Sequence, residues 1–260
     1  MAPEPFAGNA WAALAGELNL WAETDAAATL WWRDDDAAAA TPELDRLLAL
    51  SAGTGAPLAL AVIPGRLTPD LPPRLAGCHG IAVLQHGWRH INHAGAGEGA
   101  WELGDHRPLS RVQDELNAGH RRLAEAFGAR FLPVVVPPWN RISARVTQAL
   151  PALGFIGVST FGARVCAEPA PGLIQVNVHC DPVRWKERGR FAGTARTLDD
   201  LTGHLAARRK GIVDPREPTG LVSHHLALDP RAWDFVAEVL RLTKAHPAAR
   251  WLSAPEAFGR

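Results

Sequence analysis

Short apolar runs, several of them β-branched, alternate along this chain with stretches whose apolar positions recur at helical spacing. The runs Thr29–Trp32, Leu58–Ile63, Ile81–Gln85, Phe131–Val136, Phe155–Ser159, Ile174–Val178 and Gly220–Ser223 read as strands. Phe131–Val136 is apolar throughout and ends in β-branched residues, as a strand buried on both faces should. Helical patterns fall at Pro42–Leu50, Pro108–Phe127, Ile142–Leu150, Leu198–Arg209 and Arg231–Ala245. Thr41 is placed to cap the first of these, with Pro42 in its opening turn. In the longest, Leu109, Val112, Leu116, Leu123 and Phe127 share a face, and Gly128 suits the C-terminal stop. Repeated strand–helix alternation predicts a parallel α/β sheet, and this number of units predicts closure into a (β/α) barrel. A single domain over residues 1–260 accounts for the pattern. The Gly- and Ala-rich segment Asn92–His106 is long enough to be functional rather than a mere connection.

Acidic and basic residues balance at 27 each, which gives no reason to expect nucleic acid or an anionic membrane as partner. Arg208-Arg209-Lys210 reads as the solvated end of a helix. Cys78, Cys166 and Cys180 are odd in number and form no Cys-x-x-Cys pair, which suits a reducing compartment. Met1–Gly16 lacks a basic start and a long apolar stretch, and no run is long enough to span a bilayer. The expectation is a cytoplasmic protein.

Three segments add chemistry. Arg33-Asp34-Asp35-Asp36, His86-Gly87-Trp88-Arg89-His90 and Pro137-Pro138-Trp139-Asn140 each follow an apolar run, so each is expected at a strand end. In a parallel barrel that end carries the active site. His86 and His90 are four apart, but Gly87 stands where the helical zinc-protease motif needs Glu. Three adjacent carboxylates repel one another. A helix start near Thr41 would absorb part of that charge, whereas a cation with a general base beside it accounts for all three. Pro137 and Pro138 rigidify the turn that presents the Trp139 N–H. Leu221-Val222-Ser223-His224-His225 ends another apolar run and supplies a candidate general acid.

In this order, these segments resemble the polysaccharide deacetylase family (carbohydrate esterase family four), over roughly Thr29 to His225 with the core extending to about residue 252. The family carries a Thr-Phe-Asp-Asp-Gly motif, a His-x-x-x-His motif, an Arg-Pro-Pro-aromatic-Gly-type motif, an Asp-Trp-type motif and a Leu-x-x-His-type motif. Arg33-Asp34-Asp35-Asp36-Ala37 matches the first, in the Arg-x-Asp-Asp form of divergent members. Asp35 then corresponds to the catalytic base and Asp36 to a metal ligand. A register slipped by one makes Asp34 the base and Asp35 the ligand; the first is preferred because Ala37 then replaces the small Gly. His86 and His90 complete the metal triad, and Trp139 takes the aromatic position whose N–H faces the oxyanion. The Arg of the third motif, which orients the base, falls on Val136, and Arg33 or Arg141 are the candidates to replace it. Asp181 with Trp185 matches the fourth motif loosely, and Leu221 with His224 fits the fifth. The resemblance implies a distorted (β/α) barrel holding one divalent metal, zinc first, nickel or cobalt next. It implies an N-acetylated sugar or saccharide as substrate, contacted by Trp88, Pro138, Asn140 and Trp185, with His224 protonating the departing amine. Hydrolysis of another non-peptide C–N bond, or binding without turnover, are the alternatives.

Overall fold

The computed structural model describes residues 7–187 and 189–260. Its organising element is β1 (Ala28–Ala37), which is longer than the apolar run alone predicts. The strand continues through the whole charged segment, so the Asp run belongs to the strand rather than to a loop after it. Its neighbours explain this. Along one edge Leu30–Asp34 pairs with β9 (Thr219–Ser223). Along the other, Ala28–Trp31 pairs with β10 (Ala249–Leu252), and Arg33 and Asp34 pair with β2 (Leu58–Val62).

From β2 the sheet continues in parallel through β3 (Ile81–His86), β4 (Phe131–Val136), β5 (Gly157–Val158) and β6 (Ile174–Gln175). Eight strands form this sheet. The ring closes beyond β6, where the Val178 N–H donates to the Thr160 carbonyl (3.0 Å) and the Val222 N–H to the Cys180 carbonyl (2.9 Å). The very short β5 and β6 make the barrel irregular.

The helices are α1 (Ala7–Ala22), α2 (Pro42–Thr54), α3 (Leu71–Ala76), α4 (Leu109–Phe127), α5 (Ala144–Ala149), α6 (Thr194–Arg209), α7 (Pro230–Ala245) and α8 (Ala254–Ala257). Thr41 caps α2 by accepting from the Leu44 N–H (3.1 Å). A short antiparallel hairpin, β7 (Val183–Arg184) with β8 (Arg190–Phe191), stands apart from the barrel.

Strand alternation divides the apolar residues between two faces. Trp31, Ala59, Ala61, Ala82, Leu84, Val134, Val136 and Val222 meet in the barrel interior. Leu30, Trp32, Leu58, Leu60 and Val62 face the helices. Small alanines on β2 and β3 leave space for the Trp31 indole, whose N–H donates to the Asn177 carbonyl (2.9 Å). Gly220 is required there, because a Cβ would lie 2.6 Å from both the Trp31 Nε1 and the Asn177 oxygen.

The basic end of α6 departs from expectation. Arg208 is buried, donating to Thr29, Pro215 and Thr219, and Arg209 forks onto Glu17 of α1 (2.7 and 2.9 Å). The helix α1, which the apolar spacing did not reveal, covers what would have been an exposed helix face. No helix among the described residues is long and apolar enough to cross a membrane.

Candidate active site

The interior-facing alternation that places Trp31 in the core also turns Arg33 and Asp35 inward, and sends Asp34 outward. The three carboxylates thereby part company. Asp34 accepts from the Ser223 hydroxyl (2.6 Å) and the His225 N–H (3.0 Å), and its other oxygen lies 2.5 Å from His225 Nδ1. Its charge is therefore met by His225, not by a cation shared with the other two. Burial alone would lower the His225 pKa, but the charge of Asp34 and its hydrogen bond raise it.

Asp35 is held by Arg33. The guanidinium donates from Nε to Oδ1 (2.8 Å) and from Nη2 to Oδ2 (2.9 Å), a bidentate pair between residues two apart on one strand face. The remaining donors reach the Ser159 hydroxyl (2.6 Å), the Ser159 carbonyl (3.2 Å) and Asn140 Oδ1 (2.7 Å). Arg141 instead donates to the Ala100 carbonyl and lies over the Trp101 ring. Of the two candidates to replace the missing motif Arg, Arg33 is the one in contact with Asp35. Val136 contributes its backbone: its carbonyl faces His86 Nδ1 at 2.9 Å.

At Asp36 the β1–β2 register shifts, and the residue takes φ 72°. His90 (φ 58°), Trp139 (φ 55°) and Asn140 (φ 56°) are the other non-glycine residues with positive φ among those described. All four lie at this site, where such backbone strain is commonly concentrated. Asp36 Oδ1 lies 3.2 Å from His86 Nε2 and 3.3 Å from His90 Nε2. The three ligand atoms lie within 4.8 Å of one another.

The tautomer of His86 fits a cation. Its Nδ1 faces a carbonyl, which only accepts, so a proton sits on Nδ1. Burial would lower the His86 pKa, but the Asp36 hydrogen bond and the charges of Asp35 and Asp36 raise it, and an ion would take the place of the Nε2 proton that faces Asp36. Ligands about 2.0–2.1 Å from a tetrahedral ion stand about 3.3 Å apart, which matches these separations. Burial opposes ionisation of Asp36, yet the His86 hydrogen bond and the charges of His86, His224 and His90 hold its pKa below the usual carboxylate range. Burial and the neighbouring His86 push His90 down, toward the neutral form that ligates.

The loop carrying His90 is shaped by Glu102, a buried carboxylate that the sequence pattern did not single out. It accepts from the N–H groups of Trp88 (3.0 Å), Arg89 (2.8 Å) and Ile91 (3.2 Å). Gly87 (φ 52°) permits this, since a Cβ there would collide with the Glu102 carboxylate and Pro138.

These groups open on a cavity of about 850 Å³ lined by Asp35, Asp36, His86, His90, Trp139, Asn140 and His224. Asp181, Trp185 and Phe161 also line it, Phe161 being another residue sequence reasoning missed. His224 Nε2 lies 3.9 Å from Asp35 Oδ2, and its buried Nδ1 has no hydrogen-bond partner in the protein. The Trp185 ring meets His224 edge-on at 4.6 Å, and its indole N–H donates to Asp181 (2.9 Å). Burial raises the Asp181 pKa despite His224 nearby. Trp88 and Pro138 do not line the cavity; the Arg89 guanidinium covers the Trp88 ring, and Pro138 is buried against Gly87.

A second buried set, His179, His204 and Glu217, also brings three potential ligand atoms within 4.8 Å. The proton on His179 argues against an ion there, although the buried Nε2 atoms of His179 and His204 make no hydrogen bond. The Gly220 N–H donates to His179 Nδ1 (2.9 Å), so neutral His179 carries its proton on Nε2, the atom facing Glu217 at 3.5 Å. Glu217 further accepts from the N–H groups of Asn177 and Arg164 (2.9 Å each). The His179 and His204 rings stack at 3.3 Å, and burial with the charges of His179 and Arg208 pushes the His204 pKa down to about 2.

No protein-family model and no curated protein sequence matches the chain. Solved structures do. The Bc1960 peptidoglycan N-acetylglucosamine deacetylase superimposes with a TM-score of 0.56 at 15% identity, covering 90% of this chain and 89% of that one. A family four carbohydrate esterase from Streptococcus mutans gives 0.55 at 12% identity, covering 89% and 85%. A mutant of BA3943, a family four pseudoenzyme with restored enzymatic activity, gives 0.57 at 10% identity, covering 90% and 68%. With the strand order, the irregular closure and the placement of the charged strand ends, these similarities give the chain the distorted (β/α) barrel fold of the family four polysaccharide deacetylases.

Proposed function

We propose that this protein is a metal-dependent deacetylase that hydrolyses the acetamido group of an N-acetylated sugar or saccharide. The observation that carries the reading is the placement of an Asp36–His86–His90 set beside an Arg-clamped carboxylate, Asp35, and a histidine, His224, on one cavity. A divalent ion held by the first three, zinc before nickel or cobalt, would supply Lewis-acid activation of water and of the acetyl carbonyl.

The chain's own residues do the rest. Asp35, fixed by Arg33, accepts the proton of the attacking water. The Trp139 N–H stabilises the developing oxyanion, and its strained backbone orients that donor. His224 delivers a proton to the departing amine; its Nε2 lies close enough to Asp35 for the two to serve one reacting centre. Trp139 and Trp185, exposed on the cavity by 37% and 52%, offer aromatic faces to a sugar. Asn140 braces Arg33 through its carbonyl oxygen, and its amide NH2 group is left to meet the substrate on the cavity. The three cysteines are free, which supports a reducing compartment.

The test is elemental analysis of chelator-stripped protein reconstituted with zinc, nickel or cobalt, followed by acetate release from N-acetylglucosamine and its oligomers. Near one tightly bound ion per chain with acetate release, both lost in His86→Ala, is expected. Absence of a specific ion, or release that survives loss of the ion, overturns the reading.

A further inference from the structure

The β7–β8 hairpin stands at the rim of the cavity, and it is unusually basic for a chain of zero net charge. Between Arg184 and Arg190 the sequence reads Arg-Trp-Lys-Glu-Arg-Gly-Arg, four cations to one carboxylate. In the hairpin register Arg184 stands directly opposite Arg190. Arg184 and Lys186 line the cavity, and Arg196 in the first turn of α6 joins them from the adjoining wall.

Most of the carboxylates of the same cavity are engaged. Asp35 is forked by Arg33, Asp36 faces two histidines, and Asp181 accepts from the Trp185 indole and the Val183 N–H (2.9 Å each). Asp200, one helical turn along from Arg196, is the remaining one. Away from the catalytic groups the lining thus carries Arg184, Lys186 and Arg196 against Asp181 and Asp200, a net positive charge, together with Trp185 and Phe161, exposed by 52% and 47%. Rings to stack a sugar stand beside cations to hold an anion.

We propose that the substrate carries an anionic group, phosphate or carboxylate, next to the N-acetylated sugar, and that Lys186 and Arg196 bind it. The proposal rests on the deacetylase reading and narrows its substrate class.

The experiment compares zinc-reconstituted wild type with Lys186→Gln, Arg196→Gln and the double variant, on neutral N-acetylglucosamine, its 6-phosphate and N-acetylmuramic acid. Arg216→Gln, an exposed arginine paired with Asp214 away from the cavity, is the control. Wild type should favour at least one anionic substrate in kcat/KM, with the preference shrinking as salt is raised. Each single variant should cut that preference roughly two- to fivefold, as loss of an exposed charge pair does, and the double variant roughly tenfold. Whichever anionic substrate responds identifies the group as phosphate or carboxylate. Acetate released equally from neutral and anionic substrates, with no response in the double variant, overturns the proposal while leaving the deacetylase reading intact. Calorimetric binding of the same three sugars tests the same point without turnover. Tighter binding of an anionic sugar that is lost in the double variant supports the proposal, and equal binding refutes it.

Discussion

Replacing Arg33 by methionine should destabilise the metal-free protein by about 3–5 kcal/mol, because it strips the partner from a carboxylate buried in the barrel. Arg33 is fully buried and Asp35 is 2% exposed, so water reaches the carboxylate only from the cavity and not from the side the guanidinium fills. The truncation removes both prongs on Asp35 (2.8 and 2.9 Å) and also leaves Ser159 and Asn140 without their donor. For a chain of this size each kcal/mol moves the melting temperature by about 2–4 °C, so a drop of about 6–20 °C is expected. The double variant Arg33→Met with Asp35→Leu should recover much of that loss, since a buried ion pair contributes little over apolar groups of similar volume. Asn140→Ala and Ser159→Ala, which remove single acceptors from Arg33, should each cost about 1–3 kcal/mol. The assay is thermal unfolding in the presence of chelator, so that metal binding does not mask the effect. Acetate release by the zinc-loaded protein should fall by about 10²-fold or more in Arg33→Met, because the base is no longer held. An Arg33→Met protein that melts within about 2 °C of wild type would refute the clamp, as would a double variant no more stable than the single.

Three further outcomes follow from the site. Asp35→Asn should retain one metal ion and lose about 10²- to 10⁴-fold in turnover, whereas Asp34→Asn should lose stability; elemental analysis with kinetics checks both, and the reverse pattern would make Asp34 the base. Glu102→Ala frees three N–H groups in the loop that carries His90 and should weaken metal binding by roughly 10- to 100-fold in chelator competition; unchanged affinity would show that the loop holds its shape without it. Because Asp34 raises the His225 pKa above its ordinary value of about 6.5, the stability this pair contributes is fully present below that pH and is lost as pH rises through the raised value. Melting temperatures of metal-free protein from about pH 6 to 9 should decline more steeply in wild type than in His225→Gln, where the likewise raised His86 remains, and two parallel profiles would contradict it.

Much of the barrel was legible because its elements are written in short-range periodicity. The apolar runs of β2, β3 and β4 lie within a residue of their observed bounds. The candidate metal-ligand set was legible in part: His86 and His90 lie four apart after one apolar run, whereas the choice of Asp36 within the Asp run came from the family resemblance. A local signal for the Arg33 clamp was also present, since strand periodicity carried past Trp32 puts Trp31, Arg33 and Asp35 on one face and Asp34 on the other. The apolar run alone ended the strand too soon and obscured it.

Other features had no local signal. Ser159 and Asn140 lie 126 and 107 residues from the arginine they hold, and Glu102 is 13 residues from the Arg89 N–H it receives. The helix α1 has its apolar residues matched to α6, far along the chain, and Arg208 is buried only because Thr29 and Pro215 converge on it. By itself the sequence determined which residues could carry the chemistry and the strands that bear them, because side-chain alternation and apolar burial act over a few residues. Only the tertiary structure decided which carboxylate meets which partner. Hydrogen bonds and charges of that kind depend on distances of about 3 Å between residues that barrel closure, not chain proximity, brings together.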